Sequence, residues 1–485
     1  MMRDLSLLAL DRAVQLGASY ADVRALESAE RYVSTKNGKV GQASSTETLG
    51  LGIRAIVSGA WGFAATDQMT PDGIQAAATR AVDIARASSL VKKRDVVLAP
   101  ESKHEAEWAS PFQIDPFRIS LDRNLDLLFR VDAELRRVKG VTLAEAAIHC
   151  RRLRQFFASS EGSRIQQTRH YTGAGYVAYS YSGNEIQKRS YPNSFGGQHM
   201  LKGYELVEEL RLVENAQRVA EQAVALHQAG QCPEGIYDLI LDSSQLGLQI
   251  HESIGHPIEL DRVLGTEANF AGMSFLTLDK LDNLKYASEI VNVVCDARPE
   301  HGPGLGTFAF DDEGIPAQSI DIIKDGQFVG YMTSRETAAQ IGQARSNGTM
   351  RADGWNHIPL IRMTNVSLQP GCISPEELIA STDRGIYMET NRSWSIDDKR
   401  YQFQFGCELG WLIEKGKKTR MLKNPSYSGI TTEFWNSCDA VCGTAYWTLW
   451  GTPNCGKGQP QQVMGTGHGA SPARFRQVKI GGAYA

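Results

Sequence analysis

Apolar residues recur at helical spacing over residues 4–17, at Leu5, Leu8, Leu10, Ala13 and Val14, and Gly17 stops the pattern. The period then changes. Residues 20–26, 30–35, 49–58 and 61–65 alternate or run apolar between the turn signals Asn37-Gly38 and Ser58-Gly59, which predicts an antiparallel meander. Thr70-Pro71-Asp72 reads as an N-cap with proline in the first turn, leading an alanine-rich helix over 74–90. Helical spacing returns over 116–138. Strands are expected at 142–148, 155–159, 164–169 and 172–182, and a further helix over 208–228 ends at Gly230.

Cys232-Pro233-Glu234-Gly235 punctuates the chain there and marks a boundary. Beyond it, 237–242 has a short buried-strand pattern, and Ser243-Ser244-Gln245 reads as a helix cap. Strands with glycine turns follow at 318–332 around Asp325-Gly326, at 384–390 and at 400–415. Many connections are too short for a helical crossover, so the sheets should be largely antiparallel. The expected fold class is α+β, with two domains, residues 1–230 and 231–485, each a largely antiparallel sheet packed by helices.

Composition narrows the class. At about 150 residues per domain, 485 residues make two or three domains. With 42% apolar and 22% charged residues, disorder and fibrous structure are excluded. Lys plus Arg number 51 against 55 Asp plus Glu, so the basic surplus that nucleic-acid binding needs is missing. No stretch reaches the ~18 uncharged apolar residues of a membrane span. Asp11 and Arg12 interrupt the early apolar run before a signal-peptide core forms, so a cytoplasmic protein is expected. The eight cysteines are too dilute for a disulfide scaffold, and reduced thiols or one metal ligand among them are expected.

The sharpest feature is His251-Glu252-Ser253-Ile254-Gly255-His256. With 10 His and 55 acidic residues in the chain, such a pattern arises by chance about 0.02 times. It follows an expected strand and lies on the helix that begins near Ser244, the setting of a zinc-hydrolase helix. In that helix the two histidines are four apart, which returns both to one face; here they are five apart, and a regular helix would swing them about 140° from each other. A π-type turn realigns them. Gly255 permits the distortion, and Pro257 removes the amide that would bond the Ser253 carbonyl, so a widened or broken turn is predicted at 252–257.

A catalytic zinc site takes three protein ligands and leaves a position for water. His251 and His256 supply two, and Glu252 is placed as the general base. Spacing alone leaves the third ligand open among Cys455, His468, His301, Cys295, Glu259 and Asp261. A competing structural zinc site would use Cys438, Cys442, Cys455 and His468, with Cys438 and Cys442 on one helical face. Other signals are weaker. The glycine clusters at 302–306 and 465–469 read as loops, and Trp435, Trp447 and Trp450 as core. Arg351, His357 and Arg362 are candidates for contact with a substrate or a developing oxyanion, against surface solvation or structural pairing.

The motif continues as Pro257-Ile258-Glu259-Leu260-Asp261, and this stretch resembles the TldD metalloproteases of the TldD/PmbA family. So do Ser334-Arg335, Arg362-Met363-Thr364-Asn365, the 410–416 segment, and Cys455-Gly456-Lys457-Gly458-Gln459 with its glycine-rich tail. The likeness spans most of 233–485 and continues more loosely through 50–54 and Ser160-Glu161-Gly162. The resemblance implies a metal, zinc, held by His251, His256 and Cys455, with Glu252 catalytic, and hydrolysis of unfolded or extended peptides in a closed cavity. It also implies a dimer, either of two copies or with a PmbA/TldE-like subunit lacking the motif, in which residues 1–230 serve dimerisation and the cavity wall. The alternative is a non-catalytic peptide-binding or scaffold subunit. Cys438, Cys442, the run 393–398 and the tryptophan-rich 435–450 depart from the family pattern.

Overall fold

The computed structural model describes residues 1–481; the last four residues, including Gly482 of the glycine-rich tail, lie outside the described residues. In the first half, β1 (Tyr20–Lys36), β2 (Lys39–Val57) and β3 (Ala60–Thr66) form the expected meander. Asn37 and Gly38 both take positive φ, 47° and 74°, which matches the twist of a two-residue hairpin. The segments expected as separate short strands join into β1 and into two 19-residue strands farther on.

β4 (Glu105–Ala109), β5 (Val141–Ser159), β6 (Arg164–Ser182), β7 (Glu185–Tyr191) and β8 (Gln198–Met200) complete the sheet in the order β3-β2-β1-β5-β6-β4, with β7 and β8 also on β6. Helices Met2–Gln15 and Pro71–Ser89 pack on one region through Leu5, Ala9, Ala78 and Val82 against Val23, Leu51 and Ile53. Thr70 caps the second of these as expected, accepting from the Gly73 N–H at 3.2 Å. Helices Leu121–Arg137 and Leu212–Ala225 cover another region around Ile148, Ala174 and Tyr176. The helix expected over 208–228 is broken, because Arg211 takes a left-handed φ of 46° between Glu205–Glu209 and Leu212–Ala225.

The second half contains a separate sheet. Gly235–Leu241 pairs in parallel with Arg384–Ile396 and antiparallel with Ala473–Ile480, and the sheet continues through Ser426–Ile430, Gln402–Glu414, Lys417–Lys423 and Gly230–Gln231. A two-stranded hairpin, Thr448–Lys457 with Gln462–Ala470, stands apart from it. The fold is thus α+β with largely antiparallel sheets. Parallel strand pairs among the described residues join distant segments, at β4 with β6, at 238–241 with 385–388, and at 230–231 with 422–423, and isolated parallel bridges such as Asn365 with Gly467 add to them. Among the described residues no helix is long and apolar enough to cross a membrane.

Buried charge joins the halves. Arg54 lies 3.3 Å from Glu313, Arg24 lies 3.4 Å from Asp312, and the Gln155 amide donates to Asp312 at 2.7 Å. Removing one partner of such a pair leaves a buried charge without compensation, at a cost of about 3–5 kcal/mol. The segment around 312–351 is therefore held against the first sheet, and this fixes the walls of the cleft described below.

Candidate metal centre

The helix Ser243–Ile250 leaves the strand Gly235–Leu241 at Asp242. The cap is Asp242 and not the serines that follow; its carboxylate accepts from the Gln245 N–H at 3.1 Å. At His251 the helix widens. Residues His251–Gly255 form a π turn, and the His256 N–H donates to the His251 carbonyl at 3.1 Å, a bond spanning five residues. The distortion starts one residue earlier than expected. It returns the second imidazole to the side of the first, with ring centroids 4.8 Å apart and planes at 87°.

Three neighbours hold this turn open. Pro257 has no N–H, and the Ser253 carbonyl accepts instead from the Tyr286 hydroxyl. The Ser253 hydroxyl donates to the Gln249 carbonyl at 2.6 Å and accepts from the Trp435 indole N–H at 2.9 Å, so Trp435 is core with a polar role. Gly255 acts through close packing and not through positive φ: a Cβ there would meet the Met363 sulfur at 2.2 Å.

Cys455 enters from the hairpin strand Thr448–Lys457 and stands opposite Met464. Its Sγ lies 3.8 Å from His256 Nε2. The donor atoms of His251, His256 and Cys455 lie within 4.8 Å of one another, and all three residues are buried. In a tetrahedral zinc site with nitrogen at ~2.0 Å and sulfur at ~2.3 Å, neighbouring donors sit roughly 3.3–3.8 Å apart. The two-nitrogen, one-sulfur chemistry suits such an ion, and the 3.8 Å between Cys455 Sγ and His256 Nε2 matches its spacing.

Hydrogen bonds define the tautomers. His468 Nδ1 faces the Val366 carbonyl at 3.2 Å, which can only accept, so His468 carries its proton there. Its bare Nε2 then accepts the Nδ1 proton of His251 at 2.7 Å and leaves His251 Nε2 with a free lone pair. Glu259 Oε2 accepts the Nδ1 proton of His256 at 3.1 Å with the same result. Burial lowers the proton affinity of both His251 and His256, so both are neutral donors. Burial pushes the Cys455 thiol up, but its neighbours, the charge of Arg362 foremost, more than offset this and hold it below its ordinary value.

The other expected ligands are placed elsewhere. Glu259 and Asp261 belong to a buried network in which Lys457 Nζ lies 2.7 Å from Asp261, 3.3 Å from Glu267 and 3.4 Å from Glu259, while Arg262 binds Glu267 at 3.0 Å. Cys295 is buried in the strand Val293–Asp296, and His301 is at the surface 3.5 Å from Asp296. The structural-zinc alternative fails on position. Cys438 lies on the strand Cys438–Val441 opposite Phe475, not on a helix, and Cys442 packs with Ile240, Leu378 and Ile413. All eight cysteines are free.

Glu252 is buried beside the donors, and its Oε2 accepts from Arg400 at 2.8 Å. Arg400 sits in the turn after the run 393–398, which forms the end of the strand Arg384–Ile396. Arg351 and Arg362 are not surface groups: Arg351 donates to the carbonyls of Met363, Gly465 and Leu305, and Arg362 to that of Cys455. His357 is half-buried, and its carbonyl accepts from Arg24 at 2.6 Å. The 465–469 cluster is strand and not loop, because its glycines let Leu305, Asn365 and Trp447 pack on the backbone. Sequence reasoning missed His468 as a partner of His251, and missed Lys457, Glu267 and Arg400. Lys457 was visible beside Cys455, but no local signal marks Arg400.

Residues 234–482 match the family model described as the PmbA/TldA metallopeptidase C-terminal domain, and residues 21–85 match PmbA/TldA metallopeptidase domain 1. A metalloprotease of Methanocaldococcus jannaschii is 28% identical over 441 residues, covering 90% of this chain and 92% of its own. A zinc metalloprotease TldD homolog of Saccharolobus solfataricus is 24% identical over 482 residues, covering 98% and 99%. The crystal structure of TldE from Thermococcus kodakarensis has the same fold, with a TM-score of 0.71 at 17% identity over 99% of this chain and 100% of that one. The chain belongs to the PmbA/TldA metallopeptidase family.

Proposed function

We propose that the protein is a zinc-dependent peptidase acting on unfolded or extended peptides. One observation carries this reading: a π turn, two imidazoles with outward lone pairs and a thiol from a distant hairpin converge on one buried point beside Glu252. His251, His256 and Cys455 would hold the ion. When bound, it supplies Lewis-acid polarisation of the scissile carbonyl. Glu252 takes the proton of the attacking water and returns it to the leaving amine, so that amide and water become carboxylic acid and amine. Arg400 holds one oxygen of that carboxylate in place.

Among the described residues the strand that carries Cys455 pairs only with Gln462–Ala470; the Gln198 side chain engages its other edge at Leu449 and Gly451, and towards Cys455 that edge has no paired strand. A peptide adding there would gain backbone hydrogen bonds with little demand on sequence. The division at 230/231 and the role of the first half in dimerisation belong to the same proposal. A division near residue 230 is supported by two sheets of separate sequence ranges, with Gly230–Gln231 already in the second, and a homodimer or a pairing with a TldE-like subunit is supported by the shared fold. The competing reading, a non-catalytic peptide-binding subunit, has the Arg400–Glu252 pair in its favour, since that pair occupies the expected base.

Elemental analysis of protein purified without added metal, run beside Cys455→Ala and His251→Ala, separates the readings. Near-equimolar zinc lost in both variants, together with cleavage of a denatured protein, supports the enzyme. Metal retained in both variants overturns the ligand set, and full zinc without cleavage favours the binding subunit.

A further inference from the structure

A cavity on the seam between the two halves is lined by Arg151 of β5, Arg169 of β6 and Arg351, with Tyr171, His199 and Asp353 beside them. Arg169 and Arg351 are 8% and 4% exposed. The hydrogen bonds of these three guanidinium groups all go to neutral oxygens: Arg151 to Ser28 Oγ and the Asp353 carbonyl, Arg169 to the Gln155 amide, and Arg351 to three backbone carbonyls. Nε of Arg169, Nε of Arg351 and Nε2 of His199 are buried without any partner. The one carboxylate in the lining, Asp353, accepts from the Val463 N–H at 3.2 Å.

Three guanidinium groups against one carboxylate leave the lining with a surplus of positive charge and unpartnered N–H groups, and an anion with two oxygens in one plane is the group their fork geometry fits. The position of the cavity says where that anion comes from. Met464 and Gly465 also line it, Met464 stands opposite Cys455 in the hairpin, and Arg351 donates to the Gly465 carbonyl at 3.0 Å. The cavity therefore opens beside the strand that brings the sulfur donor to the metal centre. Its free volume is about 80 Å³, room for a carboxylate at the end of a chain.

We propose that this cavity binds the terminal carboxylate of an extended peptide, so that the adjacent centre removes residues from the carboxyl end. The trimming rests on the peptidase reading above; the carboxylate anchor does not.

The test is equilibrium binding, by fluorescence anisotropy, of three versions of one short neutral peptide labelled at its amino end. One ends in a free acid, one in a carboxamide, and one in a carboxamide with an internal glutamate. The free acid should bind the intact protein about 10- to 100-fold more tightly than the carboxamide, and the internal glutamate should not restore the difference. Arg151→Gln and Arg169→Gln should each remove most of that preference. Equal binding of acid and carboxamide, binding by none of the three peptides, or an unchanged preference in folded variants overturns the proposal. Rescue by the internal glutamate overturns the chain-end assignment. If neither variant folds, the acid and carboxamide pair on the unmodified protein decides. A preference seen without any hydrolysis would sink the peptidase reading and leave the anchor standing.

Discussion

His468 accepts the Nδ1 proton of His251 at 2.7 Å, and that bond aims the opposite nitrogen of His251 at His256 and Cys455. A partner that orients a metal-binding histidine is worth about 10- to 100-fold in metal affinity. His468→Ala should weaken zinc binding by that factor in chelator competition. His468→Gln should recover part of the loss, because its amide oxygen can accept the same proton. Unchanged affinity in both variants would show that His251 needs no orientation.

Glu252 is one residue from His251 but is engaged by Arg400, so its role can be separated from metal binding. Glu252→Gln should retain its zinc and lose roughly 10²- to 10⁴-fold in peptide cleavage, the usual worth of a positioned general base. Metal content and turnover measured on the same preparation decide the matter. Full turnover in the variant removes Glu252 from the chemistry.

The π turn depends on Tyr286, whose hydroxyl satisfies the Ser253 carbonyl. Tyr286→Phe keeps the ring but strands a buried acceptor, which should cost about 1–3 kcal/mol of stability. Gly255→Ala should cost a similar ~1–3 kcal/mol by overpacking against Met363, whose sulfur would sit 2.2 Å from the new carbon. Chemical denaturation measures both. A variant as stable as the parent would show that the turn can relax around the change.

Burial, and then the neighbouring His149, lower the pKa of His199 to about 4. The unfolded chain binds this proton near pH 6.5, so below that pH the unfolded state holds more protons than the folded one. The contribution of neutral His199 is present in full above pH 6.5 and is lost as the pH falls toward 4, amounting to about 2 kcal/mol by pH 5. Thermal melts of the parent should therefore fall more steeply than those of His199→Gln between pH 7.5 and 5. Parallel curves would show that His199 does not carry the effect.

Much of the local structure was legible in the chain. The alternation over 20–65 gave three neighbouring strands, Thr70-Pro71 gave a capped helix, and the five-residue histidine spacing required a widened turn. Errors arose where long-range packing overrode local preference. Gly465, Gly467 and Gly469 look like loop residues, yet they lie in a strand because Leu305, Asn365 and Trp447 need the space. Arg211 has no local mark of a break, but the chain takes a left-handed turn there between two helices that each bury one face.

The sequence by itself determined the π turn and its two imidazoles, because helix phase and the missing amide of Pro257 are properties of neighbouring residues. Spacing left the third donor open among six candidates, since it carries no information about which distant strand returns to a given helix, and within the sequence only the family resemblance pointed to Cys455. Tertiary structure alone decided that Cys455 stands beside His256 while His468 stands behind His251 and Lys457 among three carboxylates. One hairpin delivers all three residues, and its position is set by the packing of its glycines and tryptophans against the rest of the domain, which no local pattern records.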